Sequence, residues 1–283
     1  MPSFRVALAT CAALPGLGPD DRRLLEVISN AEAVVWEDPL AEWDAFDVVL
    51  IRSCWDYAFR REVFLEWVTR VSRIVPIHAS PAIAKWNTHK SYLTELAARG
   101  VPTIKTVVVE RGAPSDLEQI AEANGFGPRV VVKAAVAQTG RYLWHGAASD
   151  PAGSRHLARV TSLEDALVQP FVPAILQGER SLVFIDGALT HAVEKRPRPG
   201  AVLVHDDFGG TVARIEPSAR DLEVAAAAIE GSPEPPLYAR VDLVSGPDQP
   251  LLMELELVEP ELFFRFAPEA RERLIRGLIE RTK

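Results

Sequence analysis

The sequence predicts two architectures in series: an α/β N-terminal domain on a parallel, Rossmann-like sheet, then an α+β region built from strand hairpins. Three observations lead there. Over the first 82 residues, short and wholly apolar runs alternate with segments of helical spacing, the pattern of parallel strands covered on both faces. Beyond Leu167, apolar runs come in pairs across "DG" and "SGPDQP", the pattern of hairpins. The 283 residues are 48% apolar and 25% charged, which supports a sizeable core and excludes a disordered or fibrous chain.

Taken in order, Phe4 to Thr10 reads as a buried strand, and "LPGLGPDD" breaks it. Asp20 or Asp21 is placed to cap a helix carrying Leu24, Leu25, Val27 and Ile28. Ala33 to Trp36 and Asp47 to Arg52 are further strands, and Glu62 to Val71 returns to helical spacing with Phe64, Leu65, Val68 and Val71. This first unit, 1–82, ends near "HASPAIA". The second, 83–168, opens at "KWNTHKSYLTELAARG", where Asn87 or Thr88 can cap a helix that Gly100 ends. Strands follow at Thr103 to Val109 and Arg129 to Ala134, with a helix from Asp116 to Ala123 between them. Residues 135–155 lack periodicity and read as a mobile loop. The third unit, 169–283, holds the hairpins Ser181–Ile185 with Leu189–Val193 and Tyr238–Val244 with Leu251–Val258, plus helices at Ser218 to Ile229 and Pro268 to Arg281.

Composition narrows the function. A net charge of -8 argues against a protein that coats nucleic acid. Two cysteines, Cys11 and Cys54, support neither a disulfide framework nor a cysteine zinc site and fit a reducing cytoplasm. The six histidines are scattered without metal-ligand spacing. No run approaches the ~18 uninterrupted apolar residues of a membrane-spanning helix, so a soluble protein is expected.

The last hairpin is the most informative segment. On its second strand Leu251, Met253, Leu255 and Leu257 share one face and Glu254 and Glu256 the other; on its first, Arg240 and Asp242 share the face opposite Ala239, Val241 and Leu243. A register that sets Asp242 against Glu254 sets Arg240 against Glu256. Three carboxylates and one guanidinium then meet in one patch, an oxygen-only set suited to Mg²⁺. The same alternation also describes a solvated outer face on which Arg240 neutralises one acid. Lys133 ends the run "VVVK" where it can reach a phosphate, or simply snorkel off a strand end. Lys90 and Lys195 are equally ambiguous alone. Gln169, Pro170, Phe171 and Val172 form an apolar joint that can hydrogen-bond a purine and pack its ring on Phe171, or merely connect two halves of a core.

Together, "KWNTHKSYL", "VVVKAAV", "VQPFV", "GERSLVFIDG", "HAVEK", "FGG", "ARVDLV" and "LLMELELVEPELFF" occur in an order that resembles ATP-grasp ligases, over roughly residues 85–283. The front end, with "FDVVLIRSCWDY", resembles the domain that precedes them. Within that family the chain resembles the cyclo-ligase subgroup that closes O-ureido-D-serine in D-cycloserine biosynthesis and, more distantly, glutathione-synthetase-like ligases. The resemblance implies an α+β ATP-grasp domain of two subdomains, ATP and Mg²⁺ as cofactors, and a C–N bond made through an acyl phosphate on a small amino-acid-like substrate. It implies nucleotide-phosphate roles for Lys90 and Lys133, an adenine hinge at Gln169, Phe171 and Val172, and a ribose acid in Glu179. Lys195 and Arg240 match catalytic basic positions, and Asp242, Glu254 and Glu256 match the Mg²⁺ ligands. Homodimers are common among such ligases.

Two departures stand out. The family commonly has Pro and a Gly/Ser-rich lid after "VVVK", where this chain has Ala134, Ala135, Val136, Ala137 and Gln138. Leu203 and His205 stand where glutathione-synthetase-like ligases have substrate-binding Arg and Asn. A dipeptide-forming ligase and an ATP-binding protein without ligase chemistry are the alternatives to cyclisation.

Overall fold

Val6–Thr10 (β1), Ala31–Val35 (β2), Val48–Ser53 (β3) and Ile77–His78 (β4) pair in parallel, in the order β2-β1-β3-β4. The structure, a computed structural model, describes residues 4–114, 116–138, 140–201 and 209–282. β1 and β3 are buried from end to end because alternate side chains enter two separate cores. Ala7, Ala9, Val49 and Ile51 join Phe64, Trp67, Val68 and Val71 of α1 (Arg61–Val71), together with Trp36. Val6, Leu8, Val48 and Leu50 join Leu274 and Leu278 of the C-terminal helix, Ala270–Thr282. Burying each such aliphatic side chain contributes about 1.5–3 kcal/mol, so the chain's two ends hold one another.

The helix expected near residues 20–28 is reduced to one 3-10 turn, Asp21–Leu24, with no side-chain cap. Both candidate capping acids are drawn into long-range contacts. Asp20 accepts the backbone N–H groups of Phe264 and Arg265 at 2.9 and 3.1 Å. Asp21 takes the Arg52 guanidinium and the Ser53 hydroxyl, each at 2.7 Å.

Two short helices, α2 (Pro81–Asn87) and α3 (Tyr92–Ala98), replace the single one expected up to Gly100. Ser80 caps α2 and Pro81 sits in its first turn. Asn87 is not a cap. It is the last residue of α2, and Thr88 donates to the Ala84 carbonyl inside that helix.

Val107–Val109 (β5), α4 (Leu117–Ala123), Arg129–Ala134 (β6), Trp144–Ala147 (β7), α5 (Pro151–Thr161) and Ala166–Pro170 (β8) build an antiparallel sheet, order β5-β8-β6-β7, with helices on one face. The stretch 135–155, expected to be a mobile loop, contains β7 and the start of α5. Asp150 accepts the Ala152 N–H ahead of Pro151, a helix-start signal too local for periodicity to catch. Gly153 lets α5 close on Trp144: a Cβ there would lie 2.5 Å from its ring.

Glu179–Ile185 (β9), Ala188–Arg196 (β10), Thr211–Ile215 (β11), α6 (Ala219–Glu230), Tyr238–Ser245 (β12), Pro250–Glu256 (β13) and α7 (Ala270–Thr282) complete the described chain. Their strands run antiparallel in the order β11-β10-β9-β12-β13. Among the described residues no helix is long and apolar enough to cross a membrane, and Cys11 and Cys54 are buried free thiols.

Candidate active site

Adjacent strands in an antiparallel sheet set partners of matched parity on one face. The register pairs Asp242 with Glu254 and Arg240 with Glu256 across β12 and β13, the pairing the hairpin's alternation predicts. β9 adds Ser181 opposite Asp242, and β10 adds Lys195 opposite Glu179. The other face of these strands, with Leu182, Ala192, Val241 and Leu255, is core. The charged face is recessed rather than solvated: Asp242 is 2% exposed, Lys195 3% and Arg240 5%.

Charges this deep persist only when paired. The Arg240 guanidinium meets Asp242 through Nε at 3.0 Å and Nη2 at 2.9 Å, and Nη2 also reaches Glu256. Lys195 pairs with Glu179 and lies 3.5 Å from Asp242. Lys90 Nζ lies 2.7 Å from Glu254 and donates to the Ala137 carbonyl at 2.7 Å. Burial alone would push the Asp242 carboxyl up, but Arg240 and Lys195 outweigh it and hold it well below the usual carboxylate range. Glu254 behaves likewise: burial is overcome by Lys90 and then Lys133. Glu256 goes the other way. Burial, with the charges of Glu254 and Asp242, overrides Arg240 and raises it to about 7.

These residues line one cavity of about 560 Å³ between the two antiparallel sheets. Lys133 points in from β6, its ammonium pushed down by burial that Glu254 only partly offsets. Gln169, next to last in β8, donates to Thr106 Oγ1 at 2.8 Å. Phe171 carries the Arg129 guanidinium on its ring at 4.2 Å and His145 at 5.7 Å, while Val172 packs with Ile104 and Ile175. The cavity thus has an apolar slot at one end and the charged sheet face as its floor. The residues given nucleotide, catalytic or metal roles from the sequence, Lys90, Lys133, Gln169, Phe171, Val172, Glu179, Lys195, Arg240, Asp242, Glu254 and Glu256, lie on its wall.

The arrangement also differs from a ready-made metal cage. Among the described residues no three His, Cys, Asp or Glu side chains converge to hold an ion, because Lys90 and Arg240 draw the acids apart. Leu203 and His205 lie outside the described residues.

Sequence reasoning missed the wall contributed by the N-terminal unit, by the segment after β6 and by residues after β13. Asp20, Trp55, Gln138, Arg141, Glu259 and Arg265 all line the cavity. Arg141 donates to the Ala58 carbonyl at 2.8 Å, pairs with Glu164 at 2.9 Å and covers the Phe59 ring. The segment expected to be a lid is therefore fastened to the N-terminal unit. The one available signal was the acidic spacing "ELELVEPE", which continues past the strand that parity reads.

Residues 6–78 match the family model described as D-cycloserine synthetase DcsG, N-terminal domain. The chain is 33% identical over 300 residues to cycloserine biosynthesis protein DcsG of Streptomyces lavendulae, covering 98% of this chain and 99% of the relative. It superposes on a crystal structure of D-cycloserine synthetase DcsG with a TM-score of 0.88 at 32% identity, over 98% of this chain and 99% of that one. D-alanine–D-alanine ligase from Bacillus anthracis shares the fold, with a TM-score of 0.70 at 16% identity over 99% and 97% of the two chains.

Proposed function

The chain belongs to the DcsG family of ATP-grasp ligases, and on that premise we propose that it forms a C–N bond within a small amino-acid-like substrate of the O-ureido-D-serine type. ATP phosphorylates a carboxylate oxygen of the substrate; a nitrogen of the same molecule then attacks the acyl carbon, the bond to the phosphate oxygen breaks, and phosphate leaves. The observation that carries this reading is the single wall shared by the basic residues, the acids and the apolar slot.

Each residue has a place in it. The Gln169–Val172 joint holds the adenine, with Phe171 packing against its ring, and Glu179 takes the ribose. Lys90 and Lys133 hold the nucleotide phosphates. Lys195 and Arg240 face the transferring phosphoryl group, where catalysis is mainly positioning and charge neutralisation. Asp242, Glu254 and Glu256 would hold Mg²⁺. The donors fit that ion: they are oxygens only, and Mg²⁺ commonly takes one or two carboxylates and fills its other positions with water and phosphate, so no closed cage is required. When bound, Mg²⁺ neutralises charge on the ATP phosphates. The proposed units are 1–82, 83–168 and 169–283, with the first junction inside α2 and the second inside β8.

The test is ADP release from Mg²⁺-ATP with O-ureido-D-serine, comparing the wild type with Glu254→Gln. The variant is expected to lose at least about a hundredfold in turnover with an unchanged circular dichroism spectrum. Full activity in a folded variant overturns the metal assignment. ATP binding without ADP release, across a panel of amino acids, favours the non-catalytic reading.

A further inference from the structure

Glu259 stands three residues beyond the last acid of β13, lines the same cavity and is 4% exposed. Its Oε1 accepts the side-chain amide of Gln138, whose Nε2 also donates to the Tyr57 hydroxyl at 2.7 Å. The Tyr57 hydroxyl also favours the ionised form of the Glu259 carboxyl. The second oxygen, Oε2, is buried without a partner.

The neighbouring acids are provided for differently. Glu254 has Lys90, Glu256 has Arg240, Glu261 has Arg265 and Asp21 has Arg52. Among the described residues no ion pair reaches Glu259. A buried carboxyl with one orphaned oxygen and no cation in contact carries a desolvation cost that a donor on a ligand would remove. A phosphate or carboxylate would instead face two acids, Glu259 and Glu256. Burial and the Glu256 charge push the Glu259 carboxyl up to about 8, in keeping with a missing cationic partner.

We propose that Glu259 is the subsite acceptor for the substrate's nucleophilic nitrogen, an amine or urea-like N–H donor, with Gln138 and Tyr57 as positioning residues. This rests on the ligase reading above and names the group that receives its nucleophile. It also accounts for Gln138 in a segment where the resemblance would place a Gly/Ser-rich lid: its amide spans from that segment to Glu259.

The experiment measures steady-state ADP release with O-ureido-D-serine for the wild type, Glu259→Gln, Glu259→Asp, Gln138→Ala and Tyr57→Phe, alongside AMPPNP affinity, Mg²⁺ half-activation and thermal midpoint. Losing the carboxylate oxygen, which becomes a charged acceptor once the substrate's N–H donor is bound, should raise KM for the substrate by about tenfold to a hundredfold in Glu259→Gln, with AMPPNP affinity and Mg²⁺ half-activation unchanged. Glu259→Asp should recover part of that loss. An unchanged KM in folded Glu259→Gln overturns the inference, as does a shift in AMPPNP affinity or Mg²⁺ half-activation that matches the loss. Should Glu259→Gln fail to fold, normal KM values in both Gln138→Ala and Tyr57→Phe overturn it. A wild type that binds AMPPNP yet releases no ADP with any amino-acid-like substrate removes the ligase reading and this inference together.

Discussion

At Arg240 one guanidinium answers two carboxylates, and its fork geometry explains why a lysine would not replace it. The opposite shifts of Asp242 and Glu256 follow from that sharing: Asp242 has Lys195 as a second cation, whereas Glu256 has two acidic neighbours. His191 shows the same logic outside the site. It is 3% exposed, its Nε2 lies 2.9 Å from the Leu262 carbonyl, and burial pushes its imidazole down to about 4. A histidine whose folded pKa lies below the ordinary 6.5 binds its proton more readily when unfolded, so its contribution is intact above 6.5 and is lost as pH falls toward 4. Urea melts across that window should show the wild type losing up to about 3 kcal/mol more than His191→Gln. Parallel curves for the two proteins refute the assignment.

Among elements, β13 depends on α2. The Asn87 side chain donates to the Leu255 carbonyl at 2.8 Å and accepts the Leu257 N–H at 2.7 Å. Tyr92 of α3 adds its hydroxyl to the Leu255 N–H at 3.0 Å. These bonds satisfy an edge strand and hold Glu254 and Glu256 at their height on the sheet. Asn87→Ala leaves two buried backbone groups unpaired, and the expected destabilisation is roughly 2–4 kcal/mol in chemical denaturation. Water filling the gap without cost would give a melt like the wild type's. Elsewhere α6 starts on a complete capping box between Ser218 and Asp221, while Asp221 also holds Arg180 of β9 at 2.9 Å. One acid thereby sets both a helix start and its distance from the sheet.

For the molecule as a whole, Arg52 joins its two ends. It lies at 0% exposure, donates to Asp21 and to the Pro260 carbonyl, and sits 4.9 Å from the Tyr238 ring. The Tyr238 hydroxyl lies 2.8 Å from both the Ile51 and Val258 carbonyls. With side chains of α7, β1, β3 and β9 in one hydrophobic cluster, the N-terminal sheet has little independence from the C-terminal one. A single calorimetric transition is expected. Arg52→Ala strands Asp21 without its cation and should cost about 3–5 kcal/mol, seen as a lower melting temperature. Two resolved transitions in the wild type would contradict the shared core.

The sequence by itself determined β1, β3 and their parallel sheet, the antiparallel hairpins β9–β10 and β12–β13, and the side of β12 and β13 that carries charge; β4, β7 and β11 were not legible in it. Alternation and run length are local, and a residue's parity on a strand needs no knowledge of its partner sheet. Only the tertiary structure decided that this charged face is buried, that Lys90 reaches Glu254 from the turn before α3, and that Asp20, Asp21 and Asn87 bind distant backbone or guanidinium groups instead of capping helices. Those outcomes rest on contacts between residues as far apart as Asp20 and Phe264, where competition among partners in space, and not sequence neighbourhood, selects the bond. Glu259 belongs to the same class: it reads as one more acid after a strand until Gln138 and Tyr57 are brought to it.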